Sequence, residues 1–306
     1  MAKFLTKRVV MGIVTLLLLT TITFFMMKMI PGSPFSGEKF KSAQVMEQLN
    51  KRYGLDKSIP EQYVIYMKNV IQGDFGESIS KKQKMVSDII ANAAPTTMKL
   101  GAVAFVIAMV VGITFGMVAA LTKRKWVNNL IMTIATLGVS VPSFLLALFL
   151  MMLFGVQLKI FPLIGLKTPL HYVMPALALS FYPISVITRL VRSSMIEVLK
   201  QDYMVLAKAK GCNKLTMYVK HALKNALLPV ITYAGPTIAF LMTGSFVVEN
   251  LFSIPGIGAE FVNSINNRDY TLIMGLTIYL GVFIIVANII SDILSALVDP
   301  RIKISD

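Results

Sequence analysis

Three observations predict that this sequence folds as an all-α polytopic membrane protein with six transmembrane helices. Of its 306 residues, 56% are hydrophobic and only 15% charged, with a mean hydropathy of +0.71. That apolar content exceeds what a soluble domain buries. Six uncharged windows are each long enough to cross a bilayer, and lysine and arginine gather in alternate loops.

A span needs about 20 mainly apolar residues to cross roughly 30 Å of hydrocarbon. The windows lie between Arg8 and Lys28, Lys99 and Lys123, Lys125 and Lys159, Lys167 and Arg189, Lys224 and Glu249, and Asp269 and Asp292. The third is longer than the hydrocarbon is thick, which places its span from about Leu130 to Phe154. The fourth contains Pro175 and Pro183. Proline is tolerated in a membrane helix where neighbours or water satisfy the freed carbonyls, so this helix is expected to face protein or a cavity. The first window follows Lys3, Lys7 and Arg8, as the core of a signal peptide would. Its run of about 19 residues is long for that role and ends in KMIPG (Lys28–Gly32) without an A-x-A site, so it reads as a retained anchor. Lys28 is expected to snorkel to the outer interface.

With a cytoplasmic N-terminus, the inner segments carry Lys3, Lys7 and Arg8, then Lys123, Arg124 and Lys125, then the cluster from Arg189 to Lys224, then Arg301 and Lys303. The short outer loops carry only Lys159, Lys167 and Arg268. This asymmetry predicts both termini inside. Residues 31–97 are also basic, but long segments translocate largely regardless of charge. They read as a small external helical subdomain with two amphipathic stretches, Gln44–Tyr53 and Glu61–Ile71. The second sets Tyr63, Tyr66, Met67 and Val70 on one face. It would cap the membrane core or dock an external substrate-delivery protein. The chain thus divides into an N-terminus with the first span (1–30), the external region (31–97) and a five-helix core (98–306) that carries a cytoplasmic loop at 192–228.

Several function classes are excluded. The lone Cys212 rules out an internal disulfide and any CxxC site. His171 and His221 have no acidic or cysteine partner at metal-ligand spacing. No GxxxxGK[ST] sequence is present to cradle nucleotide phosphates. The net charge of +15 comes without any basic and aromatic module for nucleic acid.

The 192–224 segment, RSSMIEVLKQDYMVLAKAKGCNKLTMYVKHALK, is the longest inner loop and reads as two short helices around a break. Asp202 is placed to cap a helix from Tyr203 to Lys210. Gly211 suits a left-handed exit, and Asn213 is placed to cap a second helix from Lys214. The first helix would align Tyr203, Leu206, Ala207 and Lys210, a short apolar plug for another protein's groove.

DYMVLAKAKG (Asp202–Gly211) followed by HALKNALLP (His221–Pro229) resembles the EAA loop of binding-protein-dependent ABC importer permeases, most closely the dipeptide and oligopeptide branch. IPG (Ile30–Gly32), GDFG (Gly73–Gly76), SVPSF (Ser140–Phe144), NLFSIPGIG (Asn250–Gly258) and NRDY (Asn267–Tyr270) agree, so the resemblance covers nearly the whole chain. Ala207 and Gly211 match the second alanine and the glycine of the pattern. Val205 and Leu206 stand where it has the glutamate and first alanine, which removes the carboxylate from any coupling mechanism here. The resemblance implies a type I ABC importer permease fold and half of a peptide translocation pathway in the cytoplasmic membrane of a prokaryote. It also implies a second homologous permease subunit, two cytoplasmic ATPase subunits that hold ATP and Mg, and an external substrate-binding protein. The chain itself would carry no catalytic site and no cofactor. Asp202, Tyr203, Leu206, Ala207, Lys208, Gly211, Cys212 and His221 would serve the coupling to the ATPases.

The remaining candidates are pathway or gate residues. Glu249, at the end of the fifth span, would contact substrate amines or, as the plainer reading, be an interfacial carboxylate paired with Arg268 or a lysine. Pro255 and Gly256 would form a re-entrant gate or a tight turn, the turn being preferred. Pro142, Pro229 and Pro236 would supply kinks for an opening pathway. An ion-driven secondary transporter would need mid-span carboxylates, which the six windows lack. A ligand-sensing membrane anchor would have no use for the long inner loop. Within the importer class, nickel and glutathione permeases stay open beside peptides.

Overall fold

The computed structural model describes residues 2–29, 47–48, 50–51, 53–81 and 83–298. In order, the helices are α1 (Ala2–Met29), α2 (Ile59–Ile71), α3 (Val86–Leu121), α4 (Lys125–Ser140), α5 (Ser143–Leu150), α6 (Pro169–Val198), α7 (Asp202–Ala209), α8 (Lys214–Thr216), α9 (Lys224–Ala226), α10 (Leu228–Met242), α11 (Phe246–Leu251), α12 (Ile257–Asn266) and α13 (Tyr270–Val298). π-helical stretches follow α5 at Met151–Gln157 and α8 at Met217–Leu223. Among the described residues, the extended pairing is a single antiparallel bridge between Glu77 and Met85.

Five helical segments are long and apolar enough to cross a membrane: Thr6–Met29, Val86–Leu121, Pro169–Val198, Leu228–Leu251 and Tyr270–Ile293. A sixth candidate is α4 with α5 and its π-helical continuation, a pair bent by 110° that forms either a broken span or a re-entrant loop. The third window therefore does not form the straight helix from Leu130 to Phe154 that its length suggested. Steric conflict with a following proline pushes a residue out of the helical region, and Val141 accordingly sits at φ −90°, ψ 121°. Pro142 has no N–H to continue the ladder. The corner still satisfies its backbone. Val141 donates to the Leu137 carbonyl at 2.8 Å, and the Pro142 carbonyl accepts from Leu145 and Leu146 at 3.1 and 3.2 Å.

The other prolines behave differently. Pro95, Pro175, Pro183 and Pro236 lie inside helices α3, α6 and α10. As expected for a proline-bearing span, α6 faces protein: half of its most apolar stretch is buried, including Pro175 and Pro183.

The chain divides into two compact units, Met1–Thr96 with Pro255–Ile285, and Thr97–Ile254 with Val286–Asp306. The second has two apolar clusters. One gathers Leu100, Ala104, Ala147, Met174, Ala178 and Phe252. The other joins Ala108, Ile187, Val191 and Met195 to Met204, Ala222 and Ala226. Small residues let its helices meet closely, the usual solution where lipid removes the hydrophobic drive for helix association. A Cβ on Gly112 would lie 2.8 Å from Ile187 Cβ, and one on Gly116 would lie 2.6 Å from Val191 Cβ. These glycines, one turn apart on α3, carry α6 across them. Gly101 meets the Leu241 carbonyl in the same way.

In the first unit, Ser58 and Glu61 form a reciprocal capping box that starts α2, with Pro60 in its first turn. Tyr63, Tyr66, Met67 and Val70 all turn inward on α2, the face the spacing predicted. Tyr63 lies 2.7 Å from the Thr21 hydroxyl and meets Phe24 edge-on at 5.3 Å. Lys28 does not simply snorkel. Its ammonium donates to Gln62 at 2.6 Å and lies 4.7 Å from the Tyr270 ring centre. Val86, Ile89, Ile90, Ile257, Leu272 and Leu276 complete this core. Half of the other amphipathic stretch, Gln44–Tyr53, falls outside the described residues, as do Ile30–Gly32.

Adding one methyl at the α3–α6 crossing should be costly. Gly116→Ala is expected to lower stability by about 1–3 kcal/mol through overpacking, read as a reduced unfolding midpoint in detergent. A midpoint equal to that of the parent would show that the two helices do not meet at this glycine.

Candidate functional site

The 199–229 segment was singled out by sequence, and its geometry follows from local capping. After α6 ends, Gln201 takes an extended conformation (φ −74°, ψ 149°) and stands as the N-cap of α7, without a side-chain bond. Asp202 is the first helical residue rather than the cap. Its carboxylate still favours the positive end of the helix dipole. The far end is closed by a Schellman motif. Cys212 N–H donates to the Ala207 carbonyl at 3.2 Å and Gly211 N–H to Lys208 at 3.1 Å. Gly211 sits at φ +77° with nothing within 4 Å of a built Cβ, so backbone conformation alone demands glycine there. Asn213 caps α8 as predicted, its side-chain oxygen accepting from Thr216 N–H at 2.7 Å.

The expected alignment of Tyr203, Leu206, Ala207 and Lys210 divides in two. Ala207 turns inward with Met204, three residues away, while Tyr203, Leu206 and Lys210 remain exposed. Met204 joins the cluster of Met195, Ala222 and Ala226. Asn225 ties the helix to the returning chain, donating to the Tyr203 hydroxyl at 3.0 Å and to the His221 carbonyl at 3.2 Å. Lys208 is exposed, while Cys212 and His221 are half-buried. The outward surface is apolar: Val205 is 64% exposed, Leu206 56% and Leu215 74%. Exposed lysines Lys208, Lys210, Lys214 and Lys220 surround it. A surface that is apolar at its centre and basic at its rim is built for a protein groove.

The pathway candidates are placed as follows. Pro142 forms the α4–α5 corner, and Pro236 lies within α10; both are exposed. Glu249 is not the surface carboxylate its position suggested. It is fully buried, and Thr97 donates to it at 3.1 Å. Gly244, at φ +87°, comes so close to the carboxylate that a Cβ would collide with it. The preferred tight turn at Pro255–Gly256 is also displaced. The left-handed residue is Ser253 (φ 49°), whereas Gly256 is extended and caps α12. His171 Nδ1 lies 2.8 Å from the Thr168 hydroxyl, which makes it part of the cap of α6.

Residues 112–304 match the family described as binding-protein-dependent transport system inner membrane component, and residues 1–101 match the N-terminal region of such membrane components. The chain belongs to this family.

This permease is 45% identical over 304 residues to the dipeptide transport system permease protein DppB of Bacillus subtilis, covering 99% of both chains. It is 41% identical over 309 residues to the oligopeptide transport system permease protein OppB of Escherichia coli K12, covering 99% of this chain and 100% of that one. A chain of the MetNI methionine ABC transporter, solved in inward-facing form, superposes with a TM-score of 0.55 at 16% identity, over 69% of this chain and 96% of the other. The fold is that of a type I ABC importer permease, and the protein is a multi-pass inner-membrane transport component.

Sequence reasoning missed a densely bonded buried carboxylate. Asp269 marked the edge of a window and stood within NRDY without a role of its own, yet it is fully buried in the first unit. It caps α13, accepting from Leu272 N–H at 3.1 Å. It also accepts from the Ser78 hydroxyl, from Ile79 N–H at 3.1 Å, and from Ser80 through N–H at 3.0 Å and hydroxyl at 2.7 Å. Next to it, Lys81 clamps both oxygens of Glu260, one at 2.7 Å. The SIS sequence at 78–80 beside NRDY was the only available signal, and its meaning needed the fold. Burial pushes the Asp269 carboxyl up, but the bonds from Ser78, Ser80 and Ile79 outweigh it and hold the group below its ordinary value.

A carboxyl depressed in the folded state adds stability above its unfolded value and loses it as pH falls through the folded one. The unfolding midpoint should therefore stay level from neutral pH down to about 4 and drop below that. Asp269→Ala, which orphans several donors, should cost about 3 kcal/mol at neutral pH and flatten the acid limb. An acid limb unchanged by the substitution would place the titrating group elsewhere.

Proposed function

We propose that this permease forms half of the translocation pathway of an ABC importer for oligopeptides or dipeptides, and that α7 is the helix through which partner ATPases drive it. The observation that carries this reading is the construction of α7. It is fixed underneath by Met204 and Ala207, closed by Gly211, and presents an apolar surface that no other described residue covers. The names of the relatives support peptides as the cargo. The other components are a second, similar permease subunit, two ATPases that bind ATP and Mg, and a substrate-binding protein on the far side. In this arrangement the α7 loop and both termini lie in the cytoplasm, and the segment around α2 lies outside. ATP binding and release would swing α7, and the attached helices would expose the pathway to alternate sides.

In proteoliposomes holding the full complex, peptide uptake should require ATP and survive collapse of ion gradients. The reverse pattern would overturn the reading. Gly211→Val, β-branched at a left-handed position, should insert normally yet cut uptake by at least about tenfold, while Gly211→Asn, which tolerates that conformation, should retain most of it. Unchanged uptake by the valine variant would refute coupling through α7. A bifunctional reagent on Cys212, the chain's single cysteine, should capture an ATPase subunit in active membranes.

A further inference from the structure

Helix α4, in the second unit, is polar along an edge that nothing in its own unit covers. Its buried residues are Ile131, Ala135 and Gly138, and α6 packs against them. A Cβ on Gly138 would strike the Ser185 hydroxyl, and Arg192 donates to Asn128 at 2.9 Å. On the other side Asn129, Thr133, Thr136 and Ser140 are all exposed. Steps of four, three and four residues set them in one row, about 16 Å long at about 1.5 Å per residue. Helix α1 shows the composition that hydrocarbon requires instead: its exposed residues from Val9 to Leu19 are apolar apart from Thr15.

Two further observations set this row apart from a lipid-facing surface. It runs into the α4–α5 corner, where Val141 is extended and Pro142 is exposed. Irregular backbone at membrane depth is tolerated only where protein buries it or water meets it. Arg189 lies at the same level. It belongs to the α6 span and donates from Nη2 to the Ala135 carbonyl at 3.0 Å, so its guanidinium touches the peptide unit that joins Ala135 to Thr136. Its Nε is buried without a protein partner, and among the described residues no carboxylate pairs with it. A charge in a span without a counter-ion faces water or a partner molecule. The hydroxyls favour water over a second helix. Thr136 donates to the Met132 carbonyl at 2.8 Å and Ser140 to the Thr136 carbonyl at 3.0 Å. A hydroxyl has one proton to give, so neither retains a donor to bond across to another helix, while both keep lone pairs for water.

We propose that the Asn129–Ser140 row of α4 lines the water-filled part of the translocation pathway, and that Arg189 gives this wall a fixed positive charge that draws carboxylates and repels ammonium groups. The inference rests on the import reading and deepens it. The permease itself, and not only the external binding protein, then weighs the charge of the passing solute.

The test is cysteine labelling of the full complex in lipid nanodiscs, where both membrane faces meet solvent. Labelling is read by mass spectrometry at the introduced position, so that Cys212 is counted apart. Thr133→Cys and Thr136→Cys should react with a membrane-impermeant thiol reagent at least about tenfold faster than Val14→Cys on α1, because a thiolate forms poorly in apolar surroundings. Normalised to a free thiol in solution, Thr136→Cys should favour an anionic over a cationic reagent about threefold. Arg189→Met should abolish that preference and Arg189→Lys should keep it; the preference measured with Arg189 in place stands by itself should these variants insert poorly. Rates no faster than that of Val14→Cys in every nucleotide state overturn the proposal, and capture of the second permease subunit by a short crosslinker at position 136 would then make this face a subunit contact. Fast labelling without charge preference overturns the role of Arg189. None of these readouts uses transport, so absence of ATP-dependent peptide uptake by the parent complex overturns the import reading, and the pathway with it, while the row can still prove to face water.

Discussion

Within the described spans, departures from straight helix are governed by the cost of leaving a backbone amide or carbonyl without a partner in hydrocarbon. That constraint leaves few places where the chain can turn inside a span. The α4–α5 corner is one. Pro142 has no N–H to leave unsatisfied, and its carbonyl is taken by two amides from the next turn. The π-helical stretch after α5 is a milder solution, since its bonds lengthen by one residue without being given up. Helices that keep their ladders intact then gain by close approach, and this is why glycines of α3 lie under α6 and α10.

Polar groups do inside each unit what apolar cores do in a soluble domain. α2 has no fully buried residue, too little apolar burial to fix itself or the loop after it. The loop is instead held by Asp269, whose carboxylate collects donors from three consecutive residues and also caps α13. In the other unit the pairing of Glu249 with Thr97, pressed against Gly244, is a second node of the same sort. Both carboxylates are fully buried, and both depend on a short turn that has only one workable geometry.

The fold was largely legible because hydrocarbon thickness writes itself into the sequence as window length and loop charge. What local chemistry decides was legible too: the left-handed Gly211, the cap at Asn213 and the inward face of α2 all follow from positions one to four residues apart. The misreadings have a common cause. The bend at Pro142 was hidden because an apolar window gives length but not direction. Glu249 read as interfacial because sequence shows where a span ends and not what lies beside it. Asp269 gathers partners about 190 residues away, and no spacing rule reaches that far. Asp202 missed its role as cap by a single residue, within the usual uncertainty of helix ends.

The proposed coupling through α7 would set a lower limit on how firmly that helix is held. Moving a two-state transporter from 1:99 to 99:1 takes about 5.5 kcal/mol of differential free energy. A lever that detaches below that figure cannot deliver it. Burial of Met204 contributes about 1.5–3 kcal/mol. The Tyr203–Asn225 bond adds about 1 kcal/mol, while the Schellman bonds close the helix on itself and hold nothing to its neighbours, so the sum falls short of the requirement. On this footing the burial of Met204 and Ala207 is the main attachment of α7. The family pattern's glutamate position is occupied here by Val205, which faces outward. Its loss therefore costs the attachment nothing and changes only the contact with the partner, from a charged one to an apolar one. The apolar centre of such a contact gains from desolvation, and the lysines at its rim, not this position, set its response to salt.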